Sequence, residues 1–535
     1  MKSLIAFFLS TVLFTSCQNT QLQVEEFDSA IENGKLANEA YLRSLRLTKA
    51  WLAKRDPESG LIPTNFKNEK DFWEPHNSAA DNYAFMVLTA YLLDKDMLNS
   101  EMLDMLNTEK KLTSRIKSLP DTYSFSKKDF QTKEPNLNWI VFGSSEYIKD
   151  GLLPLNEYME NSPWTDRMME MLDDLLEVYT VLKGVDQLGR YKVASEEVNG
   201  EMLQTLSRIY WMTGDEKYLE RAIKIGDYYL LGERDLSTLD YLRLRDHGCE
   251  IIGGLSELYV TLHFAQPEKK KKYQQNYYKL LDRVLEIGRN EDGLFYNAVN
   301  AATGEVIDEA VVDNWGYTFN AYYSVYLVDG KEEYRQAIFD GIKNLNQKYQ
   351  NFNWERNSSD GYADALEGGI NLFNREPVPS LMEWIDSEIK VMWNMQKEDG
   401  IVEGWHGDGN FSRTSIMYGL WKTLGVHCYP WREDLIFGAE LGTDNQLQIA
   451  ITSKDDWEGK LTFDYPRHKE ILNLPIDYPR INQFPEWFVA EKSNTYQFIS
   501  SNPELTGSYS GSDMKAGIPF KITKGEKVLI KVRIE

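Results

Sequence analysis

From about Ala30 to Leu424 apolar residues recur every three to four positions, the period of an amphipathic α-helix. The pattern is plainest after Glu201. Met202, Leu203, Leu206, Ile209 and Tyr210 share one face, Thr213-Gly214-Asp215-Glu216 interrupts it, and Leu219, Ala222, Ile223, Gly226, Tyr229 and Leu230 form a second stripe. So short a break between two stripes predicts an antiparallel helical hairpin. Comparable stripes predict helices over Ala79–Leu93, Met168–Leu182, Gly248–Phe264, Tyr273–Gly288, Trp315–Val328, Glu332–Tyr349, Leu381–Met395 and Thr414–Leu424. Glycine turns punctuate them at Ser59-Gly60-Leu61, Leu188-Gly189-Arg190-Tyr191, Asp292-Gly293-Leu294, Asp360-Gly361-Tyr362 and Asp399-Gly400-Ile401. Their spacing is too irregular for a simple solenoid. Hairpins with long, aromatic, glycine-containing loops on one side predict a mainly α protein, a closed α/α toroid over residues 30–430.

After Pro430 the period changes to two. Leu447-Gln448-Ile449-Ala450-Ile451, Gly459-Lys460-Leu461-Thr462-Phe463, Thr495-Tyr496-Gln497-Phe498-Ile499 and Lys527-Val528-Leu529-Ile530-Lys531-Val532 are short alternating runs between turn residues. They predict a C-terminal antiparallel β-sandwich over residues 431–535. Its expected role is that of a structural cap.

The uncharged run from Leu4 to Phe14 is too short to cross a bilayer but suits a signal peptide over residues 1–16. It ends at Phe14-Thr15-Ser16-Cys17, which resembles the lipobox of bacterial lipoproteins. That resemblance implies lipidation of Cys17, a polar tether over 17–29, and an exported protein anchored to a membrane of a Gram-negative bacterium. Of the other cysteines, Cys249 and Cys428 are too few for a disulfide framework, although they leave one pairing open. With 59 basic against 83 acidic residues, a net charge of −24 argues against nucleic acid, whose binding rests on neutralising phosphates. An anionic substrate then requires a local basic pocket. The chain holds 14 Trp and 31 Tyr, an excess that suits the stacking of sugar rings as well as a helical core.

Polar residues gather just before predicted helices, where unpaired N–H groups and the helix dipole favour anions. Five such clusters stand out. They are Glu74-Pro75-His76-Asn77-Ser78 with Asp81 and Tyr83; Arg245-Asp246-His247 with Glu250; Asp313-Asn314 with Trp315 and Tyr317; Tyr362-Ala363-Asp364 with Glu367; and Trp405-His406 leading to Arg413. Asn77-Ser78 and Asp313-Asn314 are equally ordinary helix caps. Three of the six histidines fall in these clusters, so His247, His76 and His406 are candidate acid–base groups together with Tyr317. Asn77, Tyr83, Arg245, Asn314, Trp315, Trp405, Arg413 and Glu367 are the candidate substrate-binding residues. Trp73 and Tyr362 are further aromatic platforms, and Asp81, Glu250 and Asp313 are alternative acids. Metal-binding, dinucleotide and phosphate-loop motifs are missing, so neither a metal nor an organic cofactor is expected.

Thr213-Gly214-Asp215-Glu216-Lys217-Tyr218-Leu219, running into Ala222 and Ile223, together with the Asp-Gly-aromatic loops, resembles the α/α-toroid carbohydrate-active enzymes. These include unsaturated glucuronyl hydrolases, toroid polysaccharide lyases and the uronate-oligosaccharide dehydratases of ulvan-degrading Bacteroidetes. The resemblance covers most of residues 56–424 and implies an anionic oligosaccharide substrate. Elimination on a uronate needs donors for the carboxylate, a base and an acid, which His, Tyr, Arg and Asn supply. Hydrolysis needs two carboxylic groups, one with a raised pKa. The pairing of His with Arg and Asn favours elimination, and the resemblance favours a dehydratase. A hydrolase, a polysaccharide lyase and a glycan-binding lipoprotein stand as alternatives.

Overall fold

The computed structural model of the chain describes residues 22–178, 192–232, 234–442 and 445–535. Cys17 and the turn at Leu188-Gly189-Arg190-Tyr191 lie outside the described residues. Among the described residues, seven hairpins make up most of the helical region. Their outer helices are α1 (Asp28–Ala53), α3 (Leu103–Thr113), α5 (Pro163–Val178), α7 (Glu216–Leu230), α9 (Pro267–Ile287), α11 (Glu332–Ile342) and α13 (Pro379–Trp393). Their inner helices are α2 (Pro75–Leu93), α4 (Leu137–Asn156), α6 (Lys192–Thr213), α8 (Glu250–Ala265), α10 (Trp315–Asp329), α12 (Ser359–Arg375) and α14 (Asp408–Lys422).

Each inner helix packs on the next, and α14 closes the ring against α2, with α1 lying outside that seam. The inner helices are buried almost all round, as α8 is from Glu250 to Leu262 and α14 along its whole length. A helix enclosed on every side carries no polar stripe. Two seams are tight enough to require glycine. A Cβ on Gly409 would lie 1.6 Å from the Asp81 carbonyl oxygen, and one on Gly316 would lie 2.3 Å from the Gly368 Cα. Parts of α2 and α4, Pro75–Tyr83 and Tyr147–Leu152, are wound as π-helix, a geometry often found at functional sites.

The sandwich begins slightly before Pro430. Its strands are β1 (His427–Tyr429), β2 (Leu435–Leu441), β3 (Leu447–Ser453), β4 (Trp457–Thr462), β5 (Thr495–Ser500), β6 (Gly507–Ser510), β7 (Ile518–Ile522) and β8 (Lys527–Ile534). One antiparallel sheet has the order β2-β3-β8-β5-β6 and the other β7-β4-β1. Alternate residues such as Phe437, Ile449, Leu461, Phe498, Phe520 and Ile530 point into one shared core. The chain is thus an α/α toroid followed by a β-sandwich. Helix α1 packs on β2, where Gly34 meets Gly438. The end of the expected tether is structured: Val24–Phe27 forms a 3-10 turn, and Phe27 is buried beside Ala450 and Leu529. Cys249 and Cys428 are both free and buried, so the pairing left open by the sequence is not made. No described helix is long and apolar enough to cross a membrane.

The sandwich is more than a cap. Between β4 and β5 its chain runs up the bore of the ring. Leu472, Leu474 and Tyr478 pack beside Val260 on α8, and Ile481 reaches Cys249 and Tyr317. Buried ionic contacts hold this insertion. Arg480 lies 3.4 Å from Glu157 and 3.0 Å from Asp477, while the Tyr478 hydroxyl donates to Glu257, which also pairs with Arg208. Charges so deeply buried persist only when paired.

Candidate active site

The N-terminal ends of the inner helices surround a funnel. Its outer basin, about 680 Å³, is lined by Lys67, Arg245, Glu355, Arg356, Asp360, Lys397, Glu403 and Trp405 among others. Below it lies a pocket of about 100 Å³ lined by Asp81, Glu146, Asp150, Asp246, Glu250, Asn314, Tyr317, Asp360, Asp364, His406, Asn410, Arg413, Ile481 and Asn482. Asp360 belongs to both. Residues from all five clusters singled out in the sequence meet in this pocket because all their helices start at the same end of the ring.

Arg413 organises the inner pocket. Its guanidinium lies 2.9 Å from Asp364 and 3.0 Å from Glu367, and it donates to Asn410 (3.0 Å) and Asn482 (2.8 Å). The Tyr317 hydroxyl sits 2.6 Å from Glu367 and 2.9 Å from Asp364. With one proton to share between two carboxylates, the phenol is held far above its usual pKa by burial and by these anions. The backbone N–H of Asn482 donates to Glu367 (2.6 Å) and its side chain donates to Asp150 (2.7 Å), so the insertion from the sandwich forms the floor.

Two carboxyls one helical turn apart on α12 differ in their surroundings. Burial, with Glu355 nearby, pushes Asp360 up to about 7, and Asn410 donates to it at 2.7 Å. Burial raises Asp364 to about 6, held back by the charge of Arg413. Asp313 lies beside the pocket, in a side cavity with Arg245, Asp308 and Arg356. Burial and then Asp364 hold it well above the carboxylate range. Glu250 is raised by burial and steadied by Lys149, 2.7 Å away. The basin wall carries backbone strain: Glu355, Arg356 and Asn357 all have positive φ (40°, 60° and 66°), a conformation costly for residues with a Cβ and concentrated at functional sites.

Several sequence candidates stand elsewhere. Tyr83 points outward, donating to the Met102 carbonyl and accepting from Trp164. Trp315 is core, packed edge-on against Phe319 and Trp384. Trp73 and Tyr362 are buried too, which leaves Trp405, 43% exposed, as the aromatic platform of the basin. His76 packs edge-on against Trp139, and Asn77 donates to Glu74, so neither lines the pocket. Helix periodicity places all of these on the right turns but cannot tell an inward face from an outward one. Arg413 lines the pocket, yet its charge is already committed to two carboxylates, which removes it as a free clamp for an acidic sugar. Asn314 stays at the pocket and donates to the Asp246 carbonyl (3.1 Å). His247 lies in the 3-10 turn Asp246–Cys249, and its side chain is outside the described structure. Sequence reasoning missed Asp150, Glu146, Glu201 and Asn482, which carry no recognisable motif. From the sequence Asp360 appears only in the glycine turn Asp360-Gly361-Tyr362.

An inner ring of helices around a pocketful of acids defines an α/α-toroid protein with acid–base capacity. No family model matches the chain, and no curated protein does. Solved structures give low-identity likenesses. An α-1,6-mannanase of Salegentibacter sp. HEL1_6, in an inactive variant bound to α-1,6-mannotetrose, is 11% identical with a TM-score of 0.39, over 71% of this chain and 98% of that one. A sugar epimerase from a ruminal bacterium is 12% identical with a TM-score of 0.37, over 58% and 86%. A possible member of the GH105 family from Salmonella enterica is 12% identical with a TM-score of 0.36, over 52% and 82%. Likenesses this distant say nothing of the reaction.

Proposed function

We propose that the protein is a carbohydrate-active enzyme that seats one sugar in the inner pocket and hydrolyses its glycosidic bond to the next sugar in the basin. The observation that carries this reading is the pair Asp360 and Asp364. Asp360, at the neck between the two compartments, keeps a proton near neutral pH and gives it to the glycosidic oxygen as the C–O bond breaks. Water adds to the anomeric carbon, and its proton passes to Asp364, a pocket-lining carboxylate that Arg413 steadies in ionised form. Tyr317 and Asn410 hold these two carboxyls in place. Trp405 offers an exposed ring face for the sugar outside the cleaved bond.

Elimination from a uronate, the first expectation from the sequence, is the second reading. Lys67, Arg245, Arg356 and Lys397 line the basin and would favour an acidic or sulfated sugar there. The inner pocket favours it less, because a uronate would enter among seven acidic side chains with Arg413 already neutralised. Export and anchoring through a lipid on Cys17 complete the proposal, and intact-mass measurement of the N-terminal peptide from membranes tests it.

The reaction is tested by incubating the purified protein with neutral and with saturated uronate-ended oligosaccharides, following reducing ends, ultraviolet absorbance and product mass. New reducing ends, a gain of water and no absorbance are expected. Absorbance with loss of water would replace hydrolysis by dehydration. Binding without any product would leave only a glycan-binding protein.

A further inference from the structure

Beneath the pocket, three carboxylates from neighbouring inner helices converge. One oxygen each from Glu146, Asp150 and Glu201 lies within 4.8 Å of the others. Glu146 and Glu201 are 3% and 1% exposed. Among the described residues no hydrogen-bond donor reaches either oxygen of Glu201, whose side chain faces the carboxylate of Glu146 in this cluster. A fourth carboxylate, Glu250, stands beside them, and the Lys149 ammonium is 2.7 Å from both Asp150 and Glu250. Gln204 also donates to Glu250. The donor-less carboxylate of Glu201 is thus buried among other carboxylates, which is costly for an ionised group unless a proton or a bound cation neutralises it.

We infer that Glu146, Asp150 and Glu201 hold a calcium ion at the floor of the pocket. The ligands are all hard carboxylate oxygens, with no His or Cys among them, which selects an alkaline-earth ion over zinc or copper. Three oxygens within 4.8 Å of one another lie no more than about 2.8 Å from a common centre, so an inward shift of a few tenths of an ångström brings them to the roughly 2.3–2.6 Å of a Ca²⁺–O bond. Glu146 and Asp150 also line the pocket, so water from that side completes the coordination shell. Asp150 lies in the π-helical stretch Tyr147–Leu152, about one turn after Glu146 on α4, so both carboxylates share one face. Lys149 and Asn482 then act as positioning residues by holding Asp150.

Calcium binding is measured without sugar, so its failure is separate from failure of the proposed reaction. The purified protein is stripped with a chelator and titrated with CaCl₂ by calorimetry, and its thermal unfolding is followed with and without about 1 mM Ca²⁺. One equivalent bound and a Tm higher by several degrees are expected. Glu201→Gln keeps the shape of the side chain but not its charge, so the stripped variant should unfold no earlier than the stripped parent while binding Ca²⁺ at least ~10-fold more weakly. No calcium binding by the parent, with an infrared carboxylic-acid band that disappears in Glu201→Gln, would overturn the inference in favour of a proton shared between Glu146 and Glu201. Unchanged binding by Glu201→Gln would place the ion elsewhere, and tighter binding of Mg²⁺ than of Ca²⁺ would overturn the choice of ion.

Discussion

The inner pocket and the outer basin share Asp360 yet deploy their charge in opposite ways. In the pocket Arg413 is neutralised by Asp364 and Glu367, and Lys149 by Asp150 and Glu250. In the basin Lys67, Arg356 and Lys397 are solvent-exposed beside an open Trp405. Paired, buried charge fixes geometry and shifts pKa values, which is what acid–base chemistry needs. Exposed charge is screened and mobile, so it attracts a substrate without specifying the reaction. Under the proposed function the pocket carries the chemistry and the basin recruits the substrate, and each half of that reading can be broken separately.

The largest effect is expected for Asp360→Asn. Loss of a general acid should lower kcat about 10²–10⁴-fold on the substrate found by the assay above, with KM little changed. The parent enzyme should be active in a narrow band, losing rate above pH about 7 as Asp360 loses its proton and below about 6 as Asp364 gains one. A profile flat from pH 5 to 9 would count against this pair. Arg413→Ala should follow closely in size, because it leaves Asp364 and Glu367 buried without a cation. Denaturant unfolding at neutral pH should show a loss of about 3–5 kcal/mol.

Smaller and opposite in sign is the effect of Asp360→Asn on stability. A carboxyl whose pKa is higher in the folded than in the unfolded state binds its proton more tightly when folded. The parent therefore loses stability as pH rises from about 4 to about 7. Asparagine has no such loss and can still accept from Asn410. The variant should match the parent near pH 4 and exceed it by about 1–2 kcal/mol above pH 7, discounted for the partial exposure of the side chain.

Trp405→Ala probes the basin, where a KM about tenfold higher with kcat unchanged is expected, and a fall in kcat would move Trp405 into the chemistry. Least of all, Lys67→Ala or Lys397→Ala should weaken binding of an acidic oligosaccharide by about 0.2–1 kcal/mol at low salt. That difference should vanish in high salt and be absent for a neutral one.

Helix periodicity located the ring helices well because their apolar stripes are set by local spacing. Met202, Leu203, Leu206 and Ile209 are all buried, as the pattern over that hairpin requires. The same periodicity misjudged Tyr83 and Trp315, since an inner helix of a toroid is buried on every side and its pocket face resembles its core faces. Asp150 and Glu201 stayed invisible because they take their meaning from each other and from Asn482 and Glu250, all tens of positions or more apart in the chain. Asn482 lies further still, on an insertion from a strand-rich region that gave no hint of entering the ring.

By itself the sequence determined the two architectures and the end of the ring at which polar residues gather, because amphipathic spacing, glycine turns and helix starts are local properties of the chain. Only the tertiary structure decided which of those residues meet, that Arg413 is spent on carboxylates and that the sandwich supplies the pocket floor. Those outcomes depend on the closure of the ring, which brings α14 against α2 and fixes every distance across the bore.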